Sequence, residues 1–324
     1  MRLATLRNGT RDGQPLVVRR DGDAVLDASA IVRSLQDALD RWEEVHPSLR
    51  ALQAALDAGD VDGDPLDVAR LGPPLPRAYE WLDASAFLAH VRRVRRARGA
   101  ELPPSLLADP LLYQGGSGVL LGPTDDVPLA DPSLGLDFEG EVCCILGDVP
   151  MGTRAEDALH RVRLLCLAND LTLRNLVPSE LAKGFGFLQS KPATAFSPFA
   201  VTPDELGDAW RDGRVHRPLT VRWNGRVVGE ADAGEMHFSF GQLVEHAART
   251  RALTAGTILG SGTVSNEDPA RGWSCIAEAR ALELIAQGAP QTRFLLPGDT
   301  VELELRDAAG RDVFGRISQK VVAG

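Results

Sequence analysis

The residues Leu136-Asp137-Phe138-Glu139-Gly140-Glu141-Val142-Cys143-Cys144-Ile145-Leu146 place three carboxylates two positions apart. Side chains alternate across a strand, so Asp137, Glu139 and Glu141 share one face with Cys143 and Ile145, while Phe138, Gly140, Val142 and Cys144 take the other. The first face starts acidic and ends apolar. Three carboxylates in such a row repel one another and resist burial unless a cation or a proton compensates them. Residues two apart on a strand are separated by roughly 6.6 Å, so Glu139 and Glu141 can both lean onto one divalent ion at ligand distances of about 2 to 2.5 Å. Asp83 and Asp170, from two other segments, complete an all-oxygen set that suits Mg²⁺ or Ca²⁺ and is poor for zinc or copper. The plainer reading of an isolated Glu-x-Glu is an edge strand with a solvated acidic face.

The elements that must position these groups follow from periodicity and turn chemistry. Leu167 to Arg174 alternates, which places Asp170, Thr172 and Arg174 on one face of a strand. Asp83 to Arg98 reads as a loop entering a helix that Asp83 can cap, and Arg92, Arg93, Arg95, Arg96 and Arg98 read as its solvated face, the alternative being that one of them reaches an anionic substrate. Thr153-Arg154-Ala155-Glu156 has capping-box spacing, opening a helix through Leu159, Val162 and Leu165. Asp21-Gly22 and Asn224-Gly225 sit between apolar runs as hairpin turns. Leu35, Leu39 and Trp42, then Leu49, Leu52 and Leu56, mark two packing helices, and Phe240 to Thr250 a short amphipathic one. The remainder, from Thr257-Ile258-Leu259-Gly260 to Val321-Val322, reads as strand after strand. Gly72-Pro73-Pro74-Leu75-Pro76 can be neither helix nor central strand and separates a small domain, residues 1–75, from a large one, residues 76–324. The expected class is mixed and mostly β, with a barrel or roll that would hide its strand edges.

Composition narrows the partners. A net charge of −10 over 324 residues argues against a nucleic-acid partner, because a phosphate backbone is bound through basic surface. No apolar run is long enough for a membrane span, and the first residues lack a signal-peptide core, so a cytoplasmic location is expected. Cys143, Cys144, Cys166 and Cys275 lack zinc-site spacing and read as reduced packing residues. His46, His160, His216, His237 and His246 read as surface or core histidines.

The runs Asp137-Phe138-Glu139-Gly140-Glu141, Asn169-Asp170-Leu171-Thr172-Leu173-Arg174 and Gly260-Ser261-Gly262-Thr263, with Lys191 followed by Ser197-Pro198, resemble the signature segments of the fumarylacetoacetate hydrolase family. The resemblance runs from about Pro76 to the end, and the segment before it resembles the small N-terminal β-barrel of the long family members. It implies a metal site on Asp83, Glu139, Glu141 and Asp170, and a catalytic dyad of His90, seven residues after Asp83, with Glu278. It further implies Lys191 and Arg174 as cationic groups around the reacting carbonyl, Tyr113 and Thr263 against substrate, and a homodimer. Two positions depart from the pattern: Val177 stands where a glutamine is expected, and Gly99 where an arginine is expected.

Those residue types suit the implied chemistry. Cleaving a carbon–carbon bond in a β-diketo acid needs a nucleophile at one carbonyl and a place for the electrons released as an enolate. A dication chelated by the diketone oxygens, with Lys191 and Arg174 beside it, serves the enolate. His90, oriented by Glu278, serves to activate water. The expected substrate is fumarylacetoacetate, of tyrosine and phenylalanine catabolism. Within the fold the alternatives are acylpyruvate hydrolysis, oxaloacetate-type decarboxylation, and isomerisation or hydration of dicarboxylic dienes. Outside it they are a Ca²⁺-stabilised binding barrel with no chemistry, and a glycosidase. The last is disfavoured because Glu139 and Glu141 on one strand cannot flank a sugar bond from opposite sides.

Overall fold

A computed structural model describes residues 1–324. The strand Gly140–Leu146 lies in the middle of an eleven-stranded sheet, between Val162–Asn169 and Ile258–Gly260. Beyond Ile258–Gly260 come Trp81–Ala84, paired parallel, and Leu112–Gly115. In the other direction the sheet continues through Ala200–Val201 to Arg2–Leu6, Gln14–Val18 and Ala24–Asp27. One sheet therefore crosses the Gly72–Pro76 segment, and the helices Leu35–Asp40 and Trp42–Ala58 belong to its N-terminal part. A second, five-stranded sheet runs Arg226–Asp232, Pro218–Trp223, Thr300–Leu305, Ile317–Ala323, Val127–Leu129. The class is mixed and mainly β, as expected, but both sheets are open and no strand order closes into a barrel. No helix is long and apolar enough to cross a membrane.

The acidic-to-apolar alternation of the central strand is a property of the two cores. Cys143 and Ile145 pack with Trp81, Leu164 and Phe196 on one face, and Val142 and Cys144 pack with Leu165, Leu219 and Leu303 on the other. Each fully buried large side chain contributes about 1.5–3 kcal/mol, so register here is strongly fixed. All four cysteines are buried and free, as read from their spacing. The Asn224-Gly225 hairpin forms, with positive φ at both residues (50° and 75°), as the turn requires.

Several local expectations are overturned. The 136–146 strand is broken: Leu136–Asp137 pairs with Thr172–Leu173, and the chain re-enters the large sheet only at Gly140. At the break Glu139 N donates to the Asn169 side chain (3.1 Å) and Gly140 N to Ser274 O (2.8 Å), while Asp170 N still donates to Glu139 O in the register of the flanking pairs. Asp83 caps no helix. It lies within the strand Trp81–Ala84, and Phe87 stands at the N-cap of the helix Leu88–Ala97. The Thr153 capping box does not form either, since Thr153 Oγ1 donates to Pro150 O and the helix is only Ala155–Ala158. Val162 and Leu165 are strand residues. The capping box in this chain is Ser239 with Gln242, opening Phe240–Ala247. The stretch after Gly260 is also not all strand, because Ile276–Gln287 is a helix.

Candidate metal centre and catalytic dyad

Three strands of the large sheet, two of them separated by Ile258–Gly260, deliver the carboxylates to one end of it. Asp83 is carried by Trp81–Ala84, Glu141 by Gly140–Leu146, and Asp170 follows Val162–Asn169 directly. Glu139 comes from the break that precedes Gly140. One oxygen from each of Asp83, Glu139, Glu141 and Asp170 lies within 4.8 Å of the others, and all four residues are buried.

Glycine makes room for this. Gly260 pairs with Asp83 on one side and Cys143 on the other. A Cβ there would lie 2.5 Å from Asp83 Oδ1 and Trp81 Cη2, and 2.8 Å from Glu141 Oε2. Gly262, at φ +75°, turns its N–H onto Asp83 Oδ1 at 3.1 Å. The Gly260-Ser261-Gly262 run is thus a consequence of crowding at the carboxylates. Gly260→Ala is expected to cost about 1–3 kcal/mol in a urea titration, as overpacking does, and an unchanged midpoint would contradict this packing.

Each carboxylate has its own partners. Asp170 accepts from Tyr113 Oη (2.6 Å), Lys191 Nζ (2.5 Å) and Thr194 Oγ1 (2.7 Å). Glu139 accepts from Thr172 Oγ1 (3.2 Å), from Lys191 Nζ (3.4 Å) and from Arg174 Nη2. Arg174 Nε also reaches Asp137 (2.7 Å), whose oxygens accept from the N–H groups of Ile276 (2.7 Å) and Ala277 (2.9 Å). Asp137 therefore anchors the helix that carries Glu278, and takes no place in the carboxylate cluster. Neither oxygen of Glu141 has a hydrogen-bond donor.

The electrostatics follow. Burial pushes Glu139 up, but the charges of Arg174 and Lys191 outweigh it and hold its carboxyl at about 2. Burial, then the charge of Asp170, pushes Asp83 up to about 8, and burial with the charge of Asp83 pushes Glu141 well up. Burial and Asp170 keep the Tyr113 phenol protonated and donating. Five buried carboxylates, counting Asp137, face only Lys191 and Arg174. A hard dication on the donor-less oxygens of Glu141 and the neighbouring carboxylates fits this set.

A carboxyl whose pKa rises on folding holds its extra proton in the folded chain. Its contribution to stability is full below its ordinary value of 3.8 and is lost as the pH climbs to about 8. A cation displaces that proton, so the rise in Tm on adding Mg²⁺ or Mn²⁺ should grow from about pH 6 to about pH 8. At roughly 100 times the Kd it corresponds to about 2.7 kcal/mol. A Tm indifferent to these ions at every pH would contradict the cation site.

The dyad forms beside the cluster. His90, on the helix Leu88–Ala97, has Nδ1 2.9 Å from Oε2 of Glu278, which lies fully buried in the first turn of Ile276–Gln287. Glu139 bridges Cys275 in the backbone. Burial raises Glu278, but His90, Ser265 and Arg93 together hold it below the usual range. Cys275 lies close to this pair, but its Sγ caps the helix by accepting from Glu278 N at 3.4 Å, and burial pushes the thiol well up. Thr263 is buried in the turn after Gly262. Thr172, which the alternation places on the face of Asp170, bonds Glu139, and Arg93, Ser265 and Thr194 join the two groups without having been singled out from the sequence. Of these Arg93 left a signal, its i+3 spacing from His90.

Comparison with known proteins gives the family and the fold. Residues 81–322 match the family model "Fumarylacetoacetate (FAA) hydrolase C-terminal", and residues 1–77 match "Fumarylacetoacetase N-terminal domain 2". The chain is 27% identical over 215 residues to a fumarylacetoacetase of Caenorhabditis elegans, covering 57% of this chain and 51% of that protein. It is 25% identical over 187 residues to an oxaloacetate tautomerase of Bacillus subtilis (strain 168), covering 57% and 52%. Such matches span 47% to 62% of the curated relatives' length. The fold is that of the maleylpyruvate hydrolase from Sphingobium sp. SYK-6 in complex with manganese(II) ion and pyruvate, with a TM-score of 0.66 and 18% identity over the whole of both chains.

Proposed function

Since the chain belongs to the fumarylacetoacetate hydrolase family, we propose that it hydrolyses a carbon–carbon bond in a β-diketo acid with the aid of a divalent metal. Fumarylacetoacetate, split to fumarate and acetoacetate, is the substrate we assign first. The observation that carries the reading is the His90–Glu278 pair, 2.9 Å apart, next to four convergent carboxylates. Asp83, Glu139, Glu141 and Asp170 would hold the ion, and Mg²⁺, Ca²⁺ and Mn²⁺ all suit oxygen donors. When bound, the ion supplies positive charge for the diketone oxygens.

The chain's own residues do the rest. Nδ1–H of His90 donates to Glu278, which leaves Nε2 as the lone pair that takes a proton from water. The water oxygen bonds to the carbonyl carbon, the carbon–carbon bond breaks, and its electron pair leaves on the enolate. Glu278 stabilises the imidazolium, which returns its proton to the enolate carbon. Lys191 and Arg174 add positive charge beside the reacting carbonyl while pairing with the carboxylates, Arg174 with Glu139 and Lys191 with Glu139 and Asp170. Tyr113 and Thr263 would flank the substrate, residues 76–324 would carry the chemistry, and two chains would associate as a homodimer.

A second reading is keto–enol tautomerisation of an oxaloacetate-type acid. The similarity to an oxaloacetate tautomerase favours it, and it needs only the proton transfer at His90. The test is the purified protein with Mg²⁺, Mn²⁺ or Ca²⁺ against a panel of β-diketo acids and oxaloacetate, with products identified. Fumarate and acetoacetate in equal amounts are expected. Tautomerised oxaloacetate with every diketo acid intact would overturn the hydrolase reading.

A further inference from the structure

Arg93 lies one helical turn beyond His90 on Leu88–Ala97, and both side chains meet the same carboxylate from across the helix pair. His90 takes Oε2 of Glu278, and Arg93 Nη1 and Ser265 Oγ (2.8 Å) take Oε1. The other arm of the guanidinium, Nη2, donates to Glu267 O at 2.8 Å, and Nη1 also reaches Ser265 Oγ at 3.0 Å. One arginine thereby joins the His90 helix, the Glu278 helix and the turn that follows Thr263. The carboxylate is fully buried and the arginine is only 12% exposed, so the pairing is shielded from water and salt.

We propose that Arg93 and Ser265 are the positioning residues that fix the tautomer of His90, acting through Glu278. With both donors on Oε1, the carboxylate has no need of a proton and turns Oε2 to accept from Nδ1–H, which leaves Nε2 bare. Without them a buried carboxyl takes up a proton and donates it to Nδ1, so that the imidazole proton moves to Nε2 and the base is lost. The low exposure of Arg93 and its three-way contact set it apart from its neighbours. Arg92 pairs with the exposed Glu267 carboxylate, and Arg95 binds a loop carbonyl, Glu101 O.

This assignment rests on the proposed role of His90, and its test is read without substrate. The full-length, Mg²⁺-loaded protein is labelled with ¹⁵N-histidine, and the His90 ring signals are identified by their loss in His90→Gln. The parent should show the Nδ1–H tautomer. Arg93→Met should move His90 toward Nε2–H, and Arg93→Lys should restore most of the parent pattern. Where turnover is measurable, kcat should fall about tenfold to a hundredfold in Arg93→Met, as loss of an outer partner does, with KM within about twofold. Should Arg93→Met fail to fold, Ser265→Ala must give a partial shift of the same sign. Unmoved ring signals in a folded, metal-loaded variant overturn the assignment. A shifted tautomer in a protein whose parent cleaves no diketo acid would support it and remove the hydrolase reading instead.

Discussion

His90→Ala is expected to leave the protein folded and its metal affinity unchanged while lowering kcat by about 10² to 10⁴-fold, the span associated with a positioned general base. The side chain lies on a helix surface at 16% exposure and bonds only Glu278, so its removal opens no large cavity. Neither nitrogen belongs to the carboxylate cluster. Loss of turnover with retained metal would exclude the reading of this molecule as a Ca²⁺-stabilised binding protein without chemistry. Full activity in the variant would remove the dyad from the mechanism.

Glu141→Gln is expected to reduce metal affinity by at least about a hundredfold, beyond what losing an outer-shell partner costs, and to abolish turnover with it. Glu141 is the carboxylate whose oxygens have no donor in the protein, whereas Asp170 has three and Glu139 is held by Arg174, Lys191 and Thr172. It therefore has the most to gain from a cation. The amide keeps the volume and loses the charge, so circular dichroism should show a folded chain. The Mg²⁺-dependent rise in Tm should disappear. Unaltered binding measured by calorimetry would move the metal elsewhere.

The carboxylates were legible in the sequence because each belongs to a short run whose chemistry is local. Glu139 and Glu141 stand two apart, and Asp170 ends an apolar strand. What could not be read depends on partners far along the chain. Nothing near Phe138 announces the break in its strand, because the groups that accept from Glu139 N and Gly140 N there, the Asn169 side chain and Ser274 O, lie far along the chain. Asp137 looked like a third member of the acidic row, yet its partners are the N–H groups of Ile276 and Ala277. The helix Ile276–Gln287 was legible in principle. Its run Ala277-Glu278-Ala279-Arg280-Ala281-Leu282-Glu283-Leu284 is built of strong helix formers, which outweighs the strand pattern around it. Arg93 was hidden among four other arginines, since a basic run usually reports a solvated face. That the N-terminal strands extend the large sheet and form no barrel of their own rests on pairing between residues 2–3 and 200–201, which no local pattern encodes.

The cation site is tested most directly by titrating Mn²⁺ into the full-length protein and following free Mn²⁺ by electron paramagnetic resonance, with Glu141→Gln in parallel. The expected result is saturable uptake of one ion per parent chain, with none at the same concentrations in the variant. Equal uptake by both proteins, or none by the parent, would contradict a divalent ion held by Asp83, Glu139, Glu141 and Asp170.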